Sequence, residues 1–200
     1  MAIKPWKPID QPKTIAQGFR KRLDLQHFVD HAGKEQEFYF LEGVTWSVVL
    51  PLTRSGDVVL VRQYKMGRES ITEELPGGSA QYAGEDAFST MRRELLEETG
   101  YVSQRIIALG KAWMDSCSSH TVCHLFLALD CVPEHSYVPD QHEQIEVVAV
   151  PFQTFARDIL SGGYEYQKEA ALLFMRAFSH LPFAYRLIVF WEVLKRVFTV

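Results

Sequence analysis

The sequence is poor in cysteine and has no long apolar run free of charge. Its three cysteines, Cys117, Cys123 and Cys131, form no C-x-x-C pair, which argues against a disulfide framework and for a reducing compartment. The first thirty residues contain no apolar segment typical of a secretory signal. Charged residues interrupt the apolar C-terminal segment before it reaches the roughly 18 residues that a membrane span needs. We therefore expect a cytoplasmic protein without a membrane span.

An excess of basic charge is also absent. The formal net charge is −4, and 47% of the residues are hydrophobic and 23% charged. This balance is ordinary for a soluble globular protein, and it disfavours nucleic acid as the main partner, because nucleic-acid binding usually needs a basic face. The 200 residues suffice for one sizeable domain with its own core but hardly for two.

The most informative stretch covers residues 74–101. Glu94, Glu97 and Glu98 stand at positions i, i+3 and i+4, so on a helix their carboxylates share about 100° of arc. Burying three unpaired carboxylates would cost several kcal/mol, and a cation among them is therefore expected. Hard ions such as Mg²⁺ prefer oxygen ligands and usually take one or two carboxylates together with waters and substrate phosphates.

The flanking residues predict how this helix begins and ends. Pro76, Gly77 and Gly78 form a turn in which backbone can approach a ligand closely. Acidic residues at the predicted helix start suit the helix dipole, and Gly100 supplies the stop. The predicted apolar face consists of Ala87, Phe88, Met91 and Leu95.

The whole stretch resembles the Nudix box, Gly-x5-Glu-x7-Arg-Glu-U-x-Glu-Glu-x-Gly-U, with U a bulky apolar residue. From Glu85 to Gly100 every specified position matches, and the box as a whole covers residues 78–101. Two departures stand at its ends: six residues separate Gly78 from Glu85 where the family has five, and the last position is Tyr101.

This resemblance implies a metal-dependent hydrolase with Mg²⁺ as its cofactor and Mn²⁺ as a substitute. The implied metal ligands are Glu94, Glu98, Glu97 and the backbone carbonyl of Gly77. Arg93 and Glu85 are expected to brace the loop against the helix through a charge-assisted hydrogen bond.

The resemblance also implies a general base just before the strand at 144–151. Glu143 is the matching position, and Glu146 is the alternative. The implied catalytic residues are Glu143, Glu97, Arg93 and Glu85.

Two further segments, 58–65 and 73–78, look like the Nudix branch that cleaves ADP-ribose and nucleoside-diphosphate sugars. This implies a small-molecule nucleoside diphosphate derivative as substrate. Lys65 stands where that branch commonly has an arginine on a phosphate, and Ser116 stands where it often has a proline. Trp46 is either a core aromatic or a surface on which a base stacks. The candidate substrate-binding residues are Trp46, Arg62, Lys65, Arg68 and Glu74.

We expect the Nudix α/β/α sandwich with a mixed central sheet, additional N-terminal antiparallel strands and a C-terminal helical extension. The expected segments are an N-terminal arm with strands (1–43), the Nudix domain (44–182) and a C-terminal amphipathic helix (183–200). Residues 1–22 are expected to form a flexible or clamped arm. The predicted strands lie at 23–29, 37–42, 44–52, 58–64, 105–109, 120–130 and 144–151, and the predicted helices after the box at 152–160, 167–179 and 183–200.

The C-terminal helix carries Leu187, Trp191, Leu194 and Phe198 at helical spacing. This stripe is expected to pack on the domain or on a dimer partner, with a membrane-surface helix as the alternative. Together with the strand-rich N-terminus it predicts a homodimer.

The predicted function is hydrolysis of the diphosphate in a nucleoside-diphosphate sugar such as ADP-ribose, yielding a nucleoside monophosphate and a sugar phosphate. Two alternatives remain open at this point. One is hydrolysis of another nucleoside diphosphate derivative, a dinucleotide or a nucleoside triphosphate; the other is a sensor that binds nucleotide sugars without turnover.

Overall fold

The computed structural model describes residues 2–82, 84–134, 144–164 and 167–198. Within them the chain forms twelve strands and four helices. The strands are β1 (Lys7–Pro8), β2 (Lys13–Gly18), β3 (Lys21–Val29), β4 (Glu35–Gly43), β5 (Trp46–Thr53), β6 (Asp57–Lys65), β7 (Ser70–Glu74), β8 (Gly77–Ser79), β9 (Tyr101–Val102), β10 (Arg105–Trp113), β11 (Val122–Pro133) and β12 (Glu146–Pro151). The helices are α1 (Ala87–Thr99), α2 (Phe152–Leu160), α3 (Lys168–Ala177) and α4 (Phe183–Phe198).

The chain divides into two compact units. The first comprises Met1–Thr45 together with Ala112–Cys123, and the second comprises Trp46–Lys111 and His124–Val200. The segment 112–123, which the sequence does not single out, thus belongs with the N-terminal residues, and α4 belongs to the second unit.

The first unit is built on the antiparallel strand β3. Strands β1 and β2 pair with successive parts of β3, and β4 pairs with its whole length, from Lys21 opposite Gly43 to Val29 opposite Glu35. Within residues 1–22, for which the sequence predicts a flexible or clamped arm, β1 and β2 are thus paired with β3. All residues of β2 are exposed, so its sequence has no alternation of apolar and polar residues from which a strand could be predicted. The strand is defined by its backbone pairing with β3.

The second unit contains most of an eight-stranded sheet with the central order β10-β11-β5-β6-β12. Strands β7, β8 and β9 pair with β6, β5 and β11 respectively. Residues 47–53 of β5 are all buried, as are Val58, Val59, Leu60 and Val61 of β6. Such continuous apolar runs are what strands covered on both faces require. The predicted α/β fold is confirmed.

Helix α1 packs on β5 through Met91 and Leu95, which form a buried cluster with Val49 and Phe126. The carboxylate of Asp86 caps the helix by accepting hydrogen bonds from the amides of Phe88 and Ser89. Gly100 ends it with a φ of 71°, a conformation that favours glycine. Phe88 differs from its prediction: it is 41% exposed and lies in the first turn, where its ring meets the edge of Phe126 and the guanidinium of Arg92.

The remaining helices complete the second unit. Helix α2 contacts β6, β12 and α4, and α3 contacts β5. Among the described residues, none of the helices is long and apolar enough to span a membrane. Helix α4 turns the face with Val189 and Glu192 inward, whereas Leu187 and Trp191 are exposed. Within the predicted stripe, Leu187 and Trp191 thus do not pack on the domain, Leu194 is half-buried, and the opposite face of α4 packs inward.

Candidate functional site

The loop before the box helix runs along strand β5. Gly78 pairs with Ser47 and Gly77 pairs with Val48. A Cβ atom on Gly77 would lie 2.3 Å from the carbonyl oxygen of Ser47, and one on Gly78 would lie 2.3 Å from a carboxylate oxygen of Glu94. Both contacts are far shorter than atoms allow. The clash at Gly77 is with backbone, so glycine is required there; the clash at Gly78 is with the end of the Glu94 side chain, which would have to move. The two glycines thus let this backbone lie directly against the carboxylate of Glu94.

Arg93 joins the loop to the helix. Its Nε donates a hydrogen bond to Glu85 at 3.1 Å, as the sequence predicts, and one Nη donates to the Ser79 carbonyl at 2.9 Å. The other Nη donates to Glu94 at 2.8 Å and to Glu97 at 2.7 Å. The guanidinium therefore supplies positive charge to three of the four box glutamates, Glu85, Glu94 and Glu97.

The electrostatics of this network follow from its partial burial. The Arg93 side chain is 18% exposed and that of Glu85 only 4%. Burial acts to lower the pKa of Arg93, but hydrogen bonds to Glu85 and Glu97 outweigh it and raise this pKa above its ordinary value. Hydrogen bonds from Arg93 and from the Gln81 amide hold the pKa of Glu85 below its usual range. Both groups therefore remain charged at neutral pH, and the brace is a charge-assisted one.

Glu98 takes a separate position on the inner side of α1. It is 8% exposed, and one carboxylate oxygen accepts a hydrogen bond from the Gly77 amide at 2.8 Å. Glu94 borders Gly78, so Glu94 and Glu98 both lie beside the same glycine dipeptide. Two carboxylates next to a peptide backbone form an oxygen donor set.

This donor set fits a hard divalent cation that is completed by water and substrate. In the ranges that the structure describes, no three or more His, Cys, Asp or Glu side chains are grouped to hold a metal ion by themselves. Mg²⁺ usually needs only one or two protein carboxylates, with waters and phosphate oxygens filling its octahedral shell. Glu94 and Glu98 meet that smaller requirement.

The β6–β7 hairpin holds four of the predicted substrate residues. Lys65 forms an ion pair with Glu74 at 3.0 Å, and Arg62 forms one with Glu73 at 2.8 Å. Arg68 lies in the hairpin turn, where its amide donates to the Lys65 carbonyl at 3.0 Å. The structure therefore brings Lys65 and Glu74 together.

Arg62 and Lys65 nevertheless point to opposite faces of the sheet. They are three residues apart in a strand whose register with β7 is unbroken, and side chains alternate along a strand. Leu52 pairs with Val58, so the side chains of these two residues lie on the same face of the sheet. Val49 is three residues from Leu52 and Lys65 is seven from Val58, and both odd separations place their side chains on the opposite face, where Val49 packs on α1. Lys65 therefore shares its side of the sheet with the box helix. Arg62 does not.

Trp46 and Glu146 take defined positions as well. Trp46 begins β5, is half-buried and pairs with Ser79 of the loop. Glu146 begins β12 opposite Arg62, and its carboxylate lies 3.7 Å from that guanidinium. Glu143 lies outside the described residues.

Two residues of the segment between α2 and α3 contact β7 and the residues that lead into Gly77, and the sequence does not predict these contacts. Gln167, which is 5% exposed, accepts a hydrogen bond from the Leu75 amide at 2.8 Å and donates one to the Leu75 carbonyl at 3.0 Å. Tyr164 donates to Glu73 at 2.9 Å. Gln167 therefore clamps the backbone two residues before Gly77. The contact spans 92 positions of sequence, so no local pattern could have revealed it.

The fold and the site together define an α/β protein with a glycine-lined carboxylate site on one helix. The NUDIX domain model matches residues 42–169, which is more than half of the chain. The chain belongs to the Nudix family.

Several known proteins are similar to this chain. An ADP-ribose pyrophosphatase of Bacillus subtilis (strain 168) is 30% identical over 106 residues, which cover 52% of this chain and 57% of that protein. A putative nudix hydrolase 2 of Caenorhabditis elegans is 34% identical over 112 residues, 52% of this chain and 50% of that protein. The chain thus aligns with about half the length of these curated relatives.

The overall fold also matches a solved structure. A crystal structure of an ADP compounds hydrolase superposes with a TM-score of 0.73 at 18% identity, covering 90% of this chain and 97% of that one. At this level of identity the likeness concerns the fold alone.

Proposed function

We propose that this protein hydrolyses the diphosphate bond of a nucleoside-diphosphate sugar such as ADP-ribose, giving a nucleoside monophosphate and a sugar phosphate. The observation that carries the proposal is the placement of Glu94 and Glu98 beside the Gly77–Gly78 backbone. The similarity to an ADP-ribose pyrophosphatase over half of the chain supports the choice of substrate class.

Mg²⁺ is the cofactor that we infer, with Mn²⁺ as a substitute. Glu94 and Glu98 would be its main ligands, with Glu97 and the Gly77 carbonyl as the additional ligands that the resemblance to the Nudix box implies. When bound, such an ion neutralises the diphosphate and lowers the pKa of a water nucleophile.

The residues of the chain supply positioning and charge. Arg93 fixes the loop relative to α1 and keeps Glu94 and Glu97 in place through its hydrogen bonds. Lys65, on the same side of the sheet as α1, would meet a substrate phosphate by exchanging or sharing its contact with Glu74. The indole of Trp46 offers a stacking surface next to the loop.

The proton of the attacking water needs a base that is not committed to the cation. We infer Glu143 as this base, with Glu146 as the alternative. Contact with Arg62 engages Glu146 elsewhere, which supports Glu143. Glu143→Gln should lower kcat by roughly 10²–10⁴, the usual range for loss of a general base, while Mg²⁺ affinity stays the same. If kcat collapses in Glu146→Gln and stays nearly normal in Glu143→Gln, Glu146 is the base.

The substrate class is tested by comparing kcat/KM over a panel of nucleotides with Mg²⁺, with products identified by chromatography. ADP-ribose and other nucleoside-diphosphate sugars should be cleaved faster than nucleoside triphosphates and dinucleotides. Faster cleavage of a triphosphate or a dinucleotide would favour the alternative Nudix substrates. Binding without any product would favour a nucleotide-sugar sensor.

Two further inferences concern the state of the protein in the cell. The three cysteines are free thiols, which supports a reducing location, the cytoplasm. A homodimer is supported by the first unit, where Ile15 on β2 and Tyr39 and Leu41 on β4 expose apolar surface on the two strands that flank β3. Light scattering at micromolar concentration should give the mass of two chains, and the mass of one chain would contradict the dimer.

A further inference from the structure

Helix α4 exposes large apolar residues. Phe183 is 69% exposed, and Phe190 and Trp191 are each 59% exposed. The inward face already has its own apolar contacts through Val189, which is 8% exposed, and Tyr185, whose ring meets Phe152 edge-on; it also contains Glu192, which is 5% exposed and accepts hydrogen bonds from Gln153 and Lys195. A surface helix normally presents polar residues outward. The outward face of α4 is therefore suited to an apolar environment that the isolated chain does not provide.

The outward residues form one continuous stripe. At about 100° per residue, Phe183, Leu187 and Phe190 lie within about 60° of arc, and Trp191 follows about 40° further on. Arg186 lies about 40° beyond Phe190 on one side, and Lys195 about 40° beyond Trp191 on the other. Three aromatic rings and a leucine are thus bordered along both edges by a cationic side chain.

The charge around this stripe is of one sign. Over residues 183–195, whose side chains the structure describes, the acidic residue is Glu192, and it faces inward. Lys195 reaches from its hydrogen bond with Glu192 across the ring of Trp191, with Nζ 5.9 Å from the ring centre. A second copy packing through the same stripe would bring Arg186 and Lys195 against cations, with no exposed acid on this face to receive them. An anionic partner matches the borders instead.

A phospholipid surface combines the two properties that the stripe requires. Tryptophan and phenylalanine side chains settle at the boundary between headgroups and acyl chains, and long cationic side chains reach back to the headgroups. Helix α4 also lies outside the residues that match the NUDIX domain model, 42–169.

We propose that α4 binds the surface of an anionic phospholipid bilayer, lying in the plane of the headgroups with Phe183, Leu187, Phe190 and Trp191 inserted. This would place the hydrolase at a membrane surface without a membrane span.

Flotation of the full chain with vesicles tests the proposal. The protein should float with vesicles of phosphatidylcholine mixed with phosphatidylserine and stay behind with pure phosphatidylcholine. Phe190→Ser should weaken binding at least about tenfold, because an inserted aromatic ring is lost. Arg186→Gln should weaken it about fivefold, the factor expected for one cation near an anionic surface. Trp191→Phe should keep the binding but lose the blue shift of tryptophan fluorescence that vesicles induce.

The matched control is Phe19→Ser, which removes an aromatic ring that is 87% exposed in the first unit; it should bind vesicles like the parent chain. Equal thermal unfolding of the parent and Phe190→Ser would show that the fold is intact. Equal binding to neutral and anionic vesicles, or full binding by Phe190→Ser, would overturn the proposal. So would the absence of vesicle binding combined with a dimer that Phe190→Ser dissociates, since a second copy would then cover the stripe.

Discussion

The sheets of the two units differ in how many of their residues are buried. In the first unit, β2 and β4 have no buried residue, and β3 has one, Asp24. In the second unit, residues 47–53 of β5 are buried without interruption. The first sheet therefore depends on its backbone ladder and on contacts at the surface, and the second on a packed apolar core.

The same contrast governs their charges. Asp24 in the first unit accepts hydrogen bonds from Thr14 and Arg22, each at 2.7 Å, and Asp10 and His27 form a surface pair at 2.6 Å. In the second unit, Arg93 and Glu85 interact with little access to water. Exposed pairs are screened and contribute little to stability, whereas breaking a buried pair leaves an uncompensated charge. We therefore expect removal of a charge from the Arg93–Glu85 pair to lower the free energy of unfolding more than removal of a charge from the exposed Asp10–His27 pair.

Glu98→Gln should give the largest effect. The variant keeps the side-chain volume and an oxygen that can accept the Gly77 amide, so the fold should survive. Turnover should fall by at least about 10³, because metal-borne charge stabilisation amounts to several kcal/mol. Steady-state kinetics with Mg²⁺ measures it. The matched control is Glu192→Gln, another buried glutamate of the same unit, which should retain activity; near-normal turnover of Glu98→Gln would remove Glu98 from the metal site.

Arg93→Met should give the next largest effect, on stability as well as activity. It leaves the carboxylates of Glu85 and Glu94 without their shared cation. We expect the free energy of unfolding to fall by about 2 kcal/mol, less than for a fully buried pair because part of the network is solvated. Urea denaturation measures it. The comparison variant Arg22→Met removes a cation that is 54% exposed from Asp24 in the first unit. Asp24 is buried but keeps its hydrogen bond from Thr14, so the loss should be clearly smaller, and equal losses would contradict the contrast between the units.

Gln167→Ala tests whether a contact without charge matters to the site. It removes both hydrogen bonds to the backbone of Leu75, and leaving a buried amide unpaired costs about 1–3 kcal/mol. Since this backbone leads into Gly77, the Mg²⁺ concentration for half-maximal activity and the Mn²⁺ affinity measured by calorimetry should both weaken. Gln153→Ala, which removes a hydrogen bond to Glu192, should leave metal affinity unchanged. A loss of stability with unchanged Mn²⁺ affinity would make Gln167 purely structural.

Asp10→Asn should give the smallest effect, and one that depends on pH. The hydrogen bond to Asp10 raises the pKa of His27, so the pair stabilises the folded state fully below the unfolded histidine value of about 6.5. This stabilisation is lost as pH rises through the folded pKa of His27. The Tm difference between the parent and the variant should therefore be larger at mildly acidic pH than at alkaline pH. NMR titration of His27 should show its pKa falling toward the ordinary value in the variant, and an unchanged pKa would contradict the pairing.

The sequence predicted the parts of the fold in which local chemistry and tertiary packing agree. Residues 87–99 form the predicted helix because Asp86 caps its start, Met91 and Leu95 fit one face, and Gly100 ends it. The central strands β5 and β6 lie close to the predicted strands 44–52 and 58–64. The contact between Arg93 and Glu85 followed from the resemblance to a long motif.

The sequence did not reveal features that depend on distant pairing. Strand β2 has no apolar pattern, because both of its faces are exposed, and backbone hydrogen bonds to β3 determine it. The placement of Arg62 and Lys65 on opposite faces of the sheet, with Lys65 on the side of α1, depends on how the strands pair. The outward turn of Leu187 and Trp191 could not be foreseen either, since the spacing of apolar residues defines a face but not the direction in which it points.

The guanidinium of Arg93 neutralises the carboxylates of Glu94 and Glu97, so the helix that carries them should stay folded without a bound metal ion. Zinc fingers unfold when their metal is removed, because the metal supplies their folding energy; here the chain carries a counter-ion of its own. A chelator-treated preparation should therefore remain native and refillable. The proposed metal site would then allow one divalent ion to be exchanged for another, including a paramagnetic reporter such as Mn²⁺, without loss of the fold.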